Sequence, residues 1–200
     1  MGITLGLLEW NKLFVNKEAA FRENFNPVVE TLKQAALEKN SSYGKVSQEA
    51  LELIKESPHL VIPSEFALIS EGLQANSMHQ ESLELAGLAL QQLEKFKERF
   101  RYLRMQGRSF FETGQYDSAR IIFASTLQLV KDNPDFDTKK EGVNRLAVLL
   151  EWMHGELDQL QCEQAYEAHE TIKDINGRIL NAFSTFVEIA SARFKGLCQS

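Results

Sequence analysis

Histidine and cysteine are the residue types in this chain that most readily do chemistry, and their spacing does not favour a catalytic centre. The four histidines lack the HExxH spacing of a zinc-protease helix. The phosphate-binding glycine loops and the GxSxG nucleophile motif are also missing from the sequence. Cys162, Tyr166 and His169 share one helical face, but zinc usually takes about four ligands. We therefore predict no catalytic residue, no metal and no cofactor, and we expect that the protein is not an enzyme.

Three arginines are the strongest candidates for recognising a ligand. Arg101, Arg104 and Arg108 fall at i, i+3 and i+7, which places them on one face of a helix. Guanidinium groups bind carboxylates through paired hydrogen bonds, so this face could hold an acidic peptide. The alternative is a solvated face, on which Glu98 and Glu112 pair locally with the arginines. The sequence leaves both interpretations open.

The composition is that of an ordinary helical protein. Hydrophobic residues make up 44% of the chain and charged residues 25%, and only four prolines interrupt long runs of helix formers. These features predict the all-α class. The net charge of −6 opposes nucleic acid as a partner, and no apolar run approaches the roughly 18 residues of a spanning helix, so no membrane partner is expected.

The two cysteines bear on the cellular compartment. Cys162 and Cys198 lie far apart in the sequence and show no CxxC spacing. A disulfide is not expected between them, because structural disulfides are typical of smaller secreted domains. The pair fits a reducing cytosol, so we predict a cytoplasmic location.

The apolar residues recur at helical spacing along most of the chain. Residues 1 to about 60 are predicted to form an N-terminal helical portion. Its first helix is expected to end near Pro27, which suits the first turn of a second helix. The polar run 39–44 predicts a loop, and Ser47 and Ser64 are predicted to be N-caps of the helices that follow.

One stretch has a residue pattern that is hard to obtain by chance. Two small residues are spaced to let antiparallel helices approach closely, aromatic residues can fill the space beside them, and a glycine stands where the chain must reverse. The residues are Gly107, Phe110, Gly114, Tyr116, Ala119 and Phe123. This pattern resembles the tetratricopeptide repeat, a 34-residue helix-turn-helix unit that recurs in protein-binding solenoids.

The resemblance implies an architecture. Residues 61–176 would form repeats, and residues 178–200 would form a closing helix after a break at Asn176-Gly177. A third repeat would turn at His154-Gly155. The expected fold is a right-handed stack of antiparallel helical hairpins, capped by the C-terminal helix, in a single domain over residues 1–200. An earlier repeat would carry Phe66, Ile69, Ser70 and Leu73 on its first helix, and Ser82, Ala86 and Ala89 on its second.

The resemblance also implies a function and a site. Such repeats bind proteins without doing chemistry, and the first helix of each repeat lines the concave groove. Arg101, Arg104 and Arg108, with Phe111 beside them, would then face a partner peptide or helix. Some members of the family hold a C-terminal carboxylate with lysines and asparagines from successive repeats. In this chain only Asn144 matches those positions in kind, so that arrangement is not expected here.

The predicted function is that of an adaptor or scaffold subunit that binds a protein or peptide, and the partner can carry an acidic segment. A secretion-type chaperone that holds an unfolded export substrate is an alternative. An enzyme or cofactor binder built on a helical bundle is another. The C-terminal apolar stripe also allows a homodimer through that helix. Its residues are Ile179, Ala182, Phe183, Phe186, Ile189, Ala190, Phe194 and Leu197.

Overall fold

The computed structural model describes residues 2–38, 41–133, 138–178 and 184–199. All regular secondary structure in these ranges is helical, which confirms the all-α class. The chain divides into two compact units, Met1–Lys95 and Phe96–Ser200, which we describe separately. The boundary falls inside the segment predicted to form repeats, and the single-domain organisation stays a prediction.

The first unit contains four α-helices in the described residues. They are α1 (Gly2–Glu38), α2 (Tyr43–Ile54), α3 (Pro63–Ala75) and α4 (His79–Gln92), with a short 3-10 turn at Pro58–Leu60. Helix α1 packs on α2 and α3, α2 packs on α3, and α3 packs on α4. The predicted inward residues of α3 and α4 are all buried, together with Phe25, Leu32, Leu51 and Ile54.

Helix α1 runs through Pro27, so the predicted helix end at this residue is wrong. Proline removes one intrahelical hydrogen bond, which would have joined it to the carbonyl of Glu23. Both residues lie on the exposed side of the helix, where water can satisfy that carbonyl. On the other side, the buried Phe25, Val29 and Leu32 continue the apolar stripe across the proline. This packing holds the helix together.

The predicted N-caps at Ser47 and Ser64 are also wrong. Ser47 is fully buried inside α2, where a Cβ on Gly72 would lie 1.9 Å from its Oγ. Its small side chain therefore lets α2 and α3 approach closely. Helix α3 begins one residue before Ser64, and the backbone N–H of Ile62 donates to the Glu65 carboxylate at 3.0 Å. The carboxylate thus caps the helix from inside its first turn.

The second unit contains five helices in the described residues. They are α5 (Phe96–Glu112), α6 (Tyr116–Lys131), α7 (Thr138–Asp158), α8 (Cys162–Arg178) and α9 (Ser184–Cys198). Helices α5 and α6 pack as a hairpin, as do α7 and α8, and α7 also contacts both α5 and α6. Helix α9 packs against α7 and α8, and it buries Val187, Ala190 and Phe194 there.

The α5–α6 hairpin forms where the sequence places it. Gly114 has φ +77°, and the N–H of Gln115 donates to the Phe110 carbonyl at 2.8 Å, which ends α5. A Cβ on Gly107 would lie 2.8 Å from the Phe123 ring. The reversal at Gly114 and the close approach at Gly107 are both confirmed.

The predicted turn at His154-Gly155 is wrong, because α7 continues to Asp158. A Cβ on Gly155 would lie 2.4 Å from Phe111, so this glycine makes room for an aromatic ring within a helix. The chain reverses instead after Asp158, with Leu160 at φ 54°. Helix α8 likewise runs through the predicted break at Asn176-Gly177 to Arg178, because its buried face extends to Asn176. The predicted start of the closing helix at Arg178 is therefore wrong, and Ile179, Ala182 and Phe183 of its predicted apolar stripe lie outside the described residues.

The expectation for the cysteines is wrong as well. Cys162 begins α8 and Cys198 ends α9, and they form a disulfide with their Cα atoms 5.5 Å apart. The pairing of the two helices brings together residues that are distant in sequence. The predicted cytoplasmic location therefore loses its support from unpaired thiols.

Among the described helices, none combines the length and the apolar character needed to cross a bilayer.

Candidate functional site

A pocket of about 250 Å³ opens in the second unit, where α5, α7 and α9 meet. Helices α5 and α7 are the first helices of two successive hairpins, and α9 closes one side. Charged side chains surround an apolar floor made by Phe111 and Gly155. The remaining lining residues are Arg108 and Glu112 from α5, Glu151, His154 and Asp158 from α7, and Arg193 from α9.

The pocket brings together two of the five residues predicted to bind a partner, Arg108 and Phe111. The Phe111 side chain is only 4% exposed, and its ring packs on Phe123 with a centroid distance of 5.9 Å. Phe111 therefore belongs to the core of the unit and presents one edge to the pocket.

The other three predicted residues have different surroundings. Arg104 forms an ion pair with Glu151, in which its Nε donates to Oε2 at 3.2 Å, and its guanidinium lies over the Phe100 ring. Asn144 donates from its side chain to the Lys140 carbonyl at 3.0 Å, one turn earlier in α7. Arg101 is half-buried on α5.

Arg193 organises the α9 side of the pocket. One of its guanidinium nitrogens donates to His154 Nδ1 at 3.1 Å, and the other pairs with the Asp158 carboxylate. Because Nδ1 accepts this hydrogen bond, the imidazole is neutral and carries its proton on Nε2. Burial and the charge of Arg193 lower the pKa of His154 below its usual 6.5. The i, i+4 spacing places His154 and Asp158 on one face of α7, whereas their link to Arg193 depends on the packing of α9.

A buried carboxylate, that of Glu156, lies on α7 directly after Gly155. Glu156 is fully buried, and Arg120 from α6 binds both of its oxygens at 2.8 Å. The indole N–H of Trp152 donates to the same carboxylate at 2.8 Å. Sequence reasoning missed this group, since a glutamate in a helix usually lies at the surface. The Arg120–Glu156 ion pair joins α6 to α7.

The pairing of charges shows which groups can meet a ligand. Arg193 pairs with Asp158, and Glu151 pairs with Arg104. Arg108 is exposed, and no hydrogen bond or ion pair involves it within the described part of the chain. Its guanidinium is therefore available to bind an anionic group at the rim of the pocket.

The residues weighed above as a lone metal site do not form one. Cys162 is in the disulfide. His169 is buried, with Nε2 2.7 Å from Ser191 Oγ and its ring stacked on Phe194. Its Nδ1 lies 3.2 Å from a Glu170 oxygen, but without hydrogen-bond geometry. Within the described residues, no group of three or more His, Cys, Asp or Glu side chains could hold a metal ion.

Comparison with protein-family models, curated proteins and solved structures finds no match for this chain. The resemblance to tetratricopeptide repeats therefore rests on the residues quoted above.

Proposed function

We propose that this protein is a non-enzymatic interaction module, built from tetratricopeptide-like hairpins, that binds a segment of another protein in the pocket of its second unit. The observation that carries the proposal is the position of this pocket. It lies between α5 and α7, the first helices of two successive hairpins, with an unpaired arginine at its rim. In the repeat family the first helices of the hairpins line the groove that receives the partner.

The close packing of the hairpins supports the same proposal. The small residues Gly107 and Gly155 each face an aromatic ring of a neighbouring helix, which keeps the helices of this unit close together. The resulting floor is rigid and apolar, and its rim is charged. Such surfaces bind peptides through buried apolar anchors, while charged rim residues set orientation and specificity.

The proposed partner segment carries a carboxylate that pairs with Arg108. A charge-assisted hydrogen bond to a partner is typically worth about 1.5–3 kcal/mol. Arg108→Ala should therefore weaken binding by about 10- to 100-fold without unfolding the protein, because the side chain is exposed and unpaired. Arg101 and Arg104 remain proposed contributors, although Arg104 already has a partner in Glu151.

A site-directed photo-crosslinking experiment tests this function. A crosslinking amino acid is placed at Glu112, an exposed residue that lines the pocket, in one variant and at Ile121 in another, and both are expressed in the native cell with Arg108 intact. Ile121 is 68% exposed on α6 and does not line the pocket, so it reports unspecific contact. The proposal predicts a discrete protein adduct at position 112, and direct binding of the identified partner that Arg108→Ala weakens. Equal crosslinking at the two positions, or binding that survives Arg108→Ala unchanged, would refute it.

A further inference from the structure

The attachment of α9 to the rest of its unit suggests how the pocket is controlled. The buried residues of α9 are Val187, Ala190 and Phe194, which pack against α7 and α8. The opposite side of the helix is exposed, with Ile189 at 57% and Leu197 at 42%. Helix α9 is thus held along one narrow apolar stripe.

The disulfide adds a covalent link at the end of this helix. It joins the first residue of α8 to the last residue of α9, with a sequence separation of 36. In the chain-entropy model, closing a loop of this length favours attached over detached α9 by up to several hundredfold. The link therefore contributes much of the restraint on a helix that has few buried contacts.

Arg193 connects this restraint to the pocket. It lies on α9 about 7.5 Å along the axis from Cys198, at 1.5 Å per residue. From there its guanidinium reaches His154 and Asp158 on α7 and lines the pocket. When α9 detaches, Arg193 leaves with it and both α7 side chains lose their partner.

We propose that the Cys162–Cys198 disulfide is a redox-sensitive lock, which holds α9 and Arg193 over the pocket and which a dithiol reductant releases. Both cysteines are half-buried, so a small thiol can reach them. One thiolate of the reductant attacks a sulfur of the disulfide, and the S–S bond breaks to give a mixed disulfide. The second thiol of the reductant resolves it. Two electrons and two protons pass to the protein, which then carries two thiols, and the reductant becomes a disulfide.

Reduction changes what the pocket presents. In the oxidised protein, Arg193 neutralises Asp158 and closes the α9 side. In the reduced protein this side opens, and the Asp158 carboxylate and His154 become accessible next to Arg108. The consequence for partner binding rests on the proposed function, whereas the lock itself does not.

Hydrogen exchange on the full chain tests the lock without any partner. Wild-type protein is compared in its oxidised form and after excess dithiothreitol, with exchange read by mass spectrometry of peptides. We expect that reduction speeds exchange in 184–198 by about a hundredfold and changes 96–131 by less than about threefold. A Cys162→Ser/Cys198→Ser variant should match the reduced protein and should not respond to reductant. Unchanged exchange in 184–198, or an equal rise in both segments, would overturn the lock.

An NMR titration of His154 tests the link to the pocket in the same samples. Arg193 is one cause of the lowered pKa of this histidine, so releasing α9 should bring the pKa back toward 6.5. The Cys162→Ser/Cys198→Ser variant serves as the control, because its His154 should titrate identically with and without reductant. If α9 exchanges faster after reduction while the titration of His154 stays the same, the lock does not act on the pocket and the proposal fails.

Discussion

Replacing Arg120 with alanine tests whether the buried carboxylate of Glu156 is a structural centre of the second unit. The substitution removes both guanidinium hydrogen bonds of 2.8 Å and leaves the indole N–H of Trp152 as the remaining side-chain donor. Removing one partner of a buried ion pair typically costs about 3–5 kcal/mol, because the other charge stays buried without compensation. Arg120 itself is 30% exposed, so water can enter the space it leaves. We therefore expect a cost near the lower limit, about 3 kcal/mol.

Arg104→Ala is the matched control. Arg104 pairs with Glu151 in the same two-point manner, but the Glu151 side chain is 24% exposed, whereas that of Glu156 is fully buried. Exposed ion pairs contribute about 0–1 kcal/mol, so the Arg104 variant should lose about 1 kcal/mol. The two variants differ mainly in the burial of the carboxylate that they leave behind.

Urea unfolding followed by tryptophan fluorescence provides the assay. The chain has two tryptophans, so a Trp10→Phe background leaves Trp152, which contacts Glu156, as a local reporter. A loss of 3 kcal/mol should move the midpoint by about 1–3 M, since m values for small proteins are about 1–3 kcal/mol/M in urea. Equal midpoint shifts for the Arg120 and Arg104 variants would show that burial of Glu156 does not determine its contribution.

Three further predictions concern backbone geometry and pH. Gly107→Ala should destabilise the protein by about 1–3 kcal/mol, because its methyl group would overlap the Phe123 ring. Gly87→Ala, where the new methyl group meets open space, should stabilise the protein by about 0.5–1 kcal/mol. Thermal unfolding of the two variants measures both effects. Gly114→Ala should cost about 1–2 kcal/mol at its positive φ, measured in the same way. Burial lowers the pKa of both His154 and His169 in the folded protein below 6.5. As the pH falls, the unfolded chain therefore binds protons before the folded protein does. The stabilisation is complete above pH 6.5, and the free energy of unfolding decreases below it. Urea titrations at pH 7.5 and 5.5 should show this loss, and a His154→Gln/His169→Gln variant should show less of it.

The sequence predicts the parts of the fold that depend on local geometry. The α5–α6 hairpin could be located because Gly114 needs a positive φ and Gly107 needs room for an aromatic ring within one short stretch. Gly155 has the same kind of contact as Gly107, yet the sequence pattern predicts a turn at this position. A glycine without a side chain suits either situation, and only the position of Phe111, on another helix, decides between them.

The parts that the sequence missed depend on contacts between distant segments. Pro27 stays inside a helix because the buried face of α1 continues across it and the lost hydrogen bond faces water. The disulfide depends on how α8 and α9 pair, which no cysteine spacing reveals. Of the candidate site, Arg108 and Phe111 were found through helical spacing and the family resemblance. The sequence does not identify Arg193, because the pattern of α9 reveals its apolar stripe but not the contacts of its charged residues with α7.

The pairing of charges determines which predicted arginine can select a partner. An incoming carboxylate that binds Arg104 must displace Glu151 from the ion pair that is already there. That replacement exchanges one partly exposed ion pair for another, so its net gain is small. Arg108 requires no such exchange, since its guanidinium is exposed and makes no ion pair in the described structure. Affinity for an acidic segment should therefore depend on Arg108 more than on Arg104, although both lie on the same face of α5.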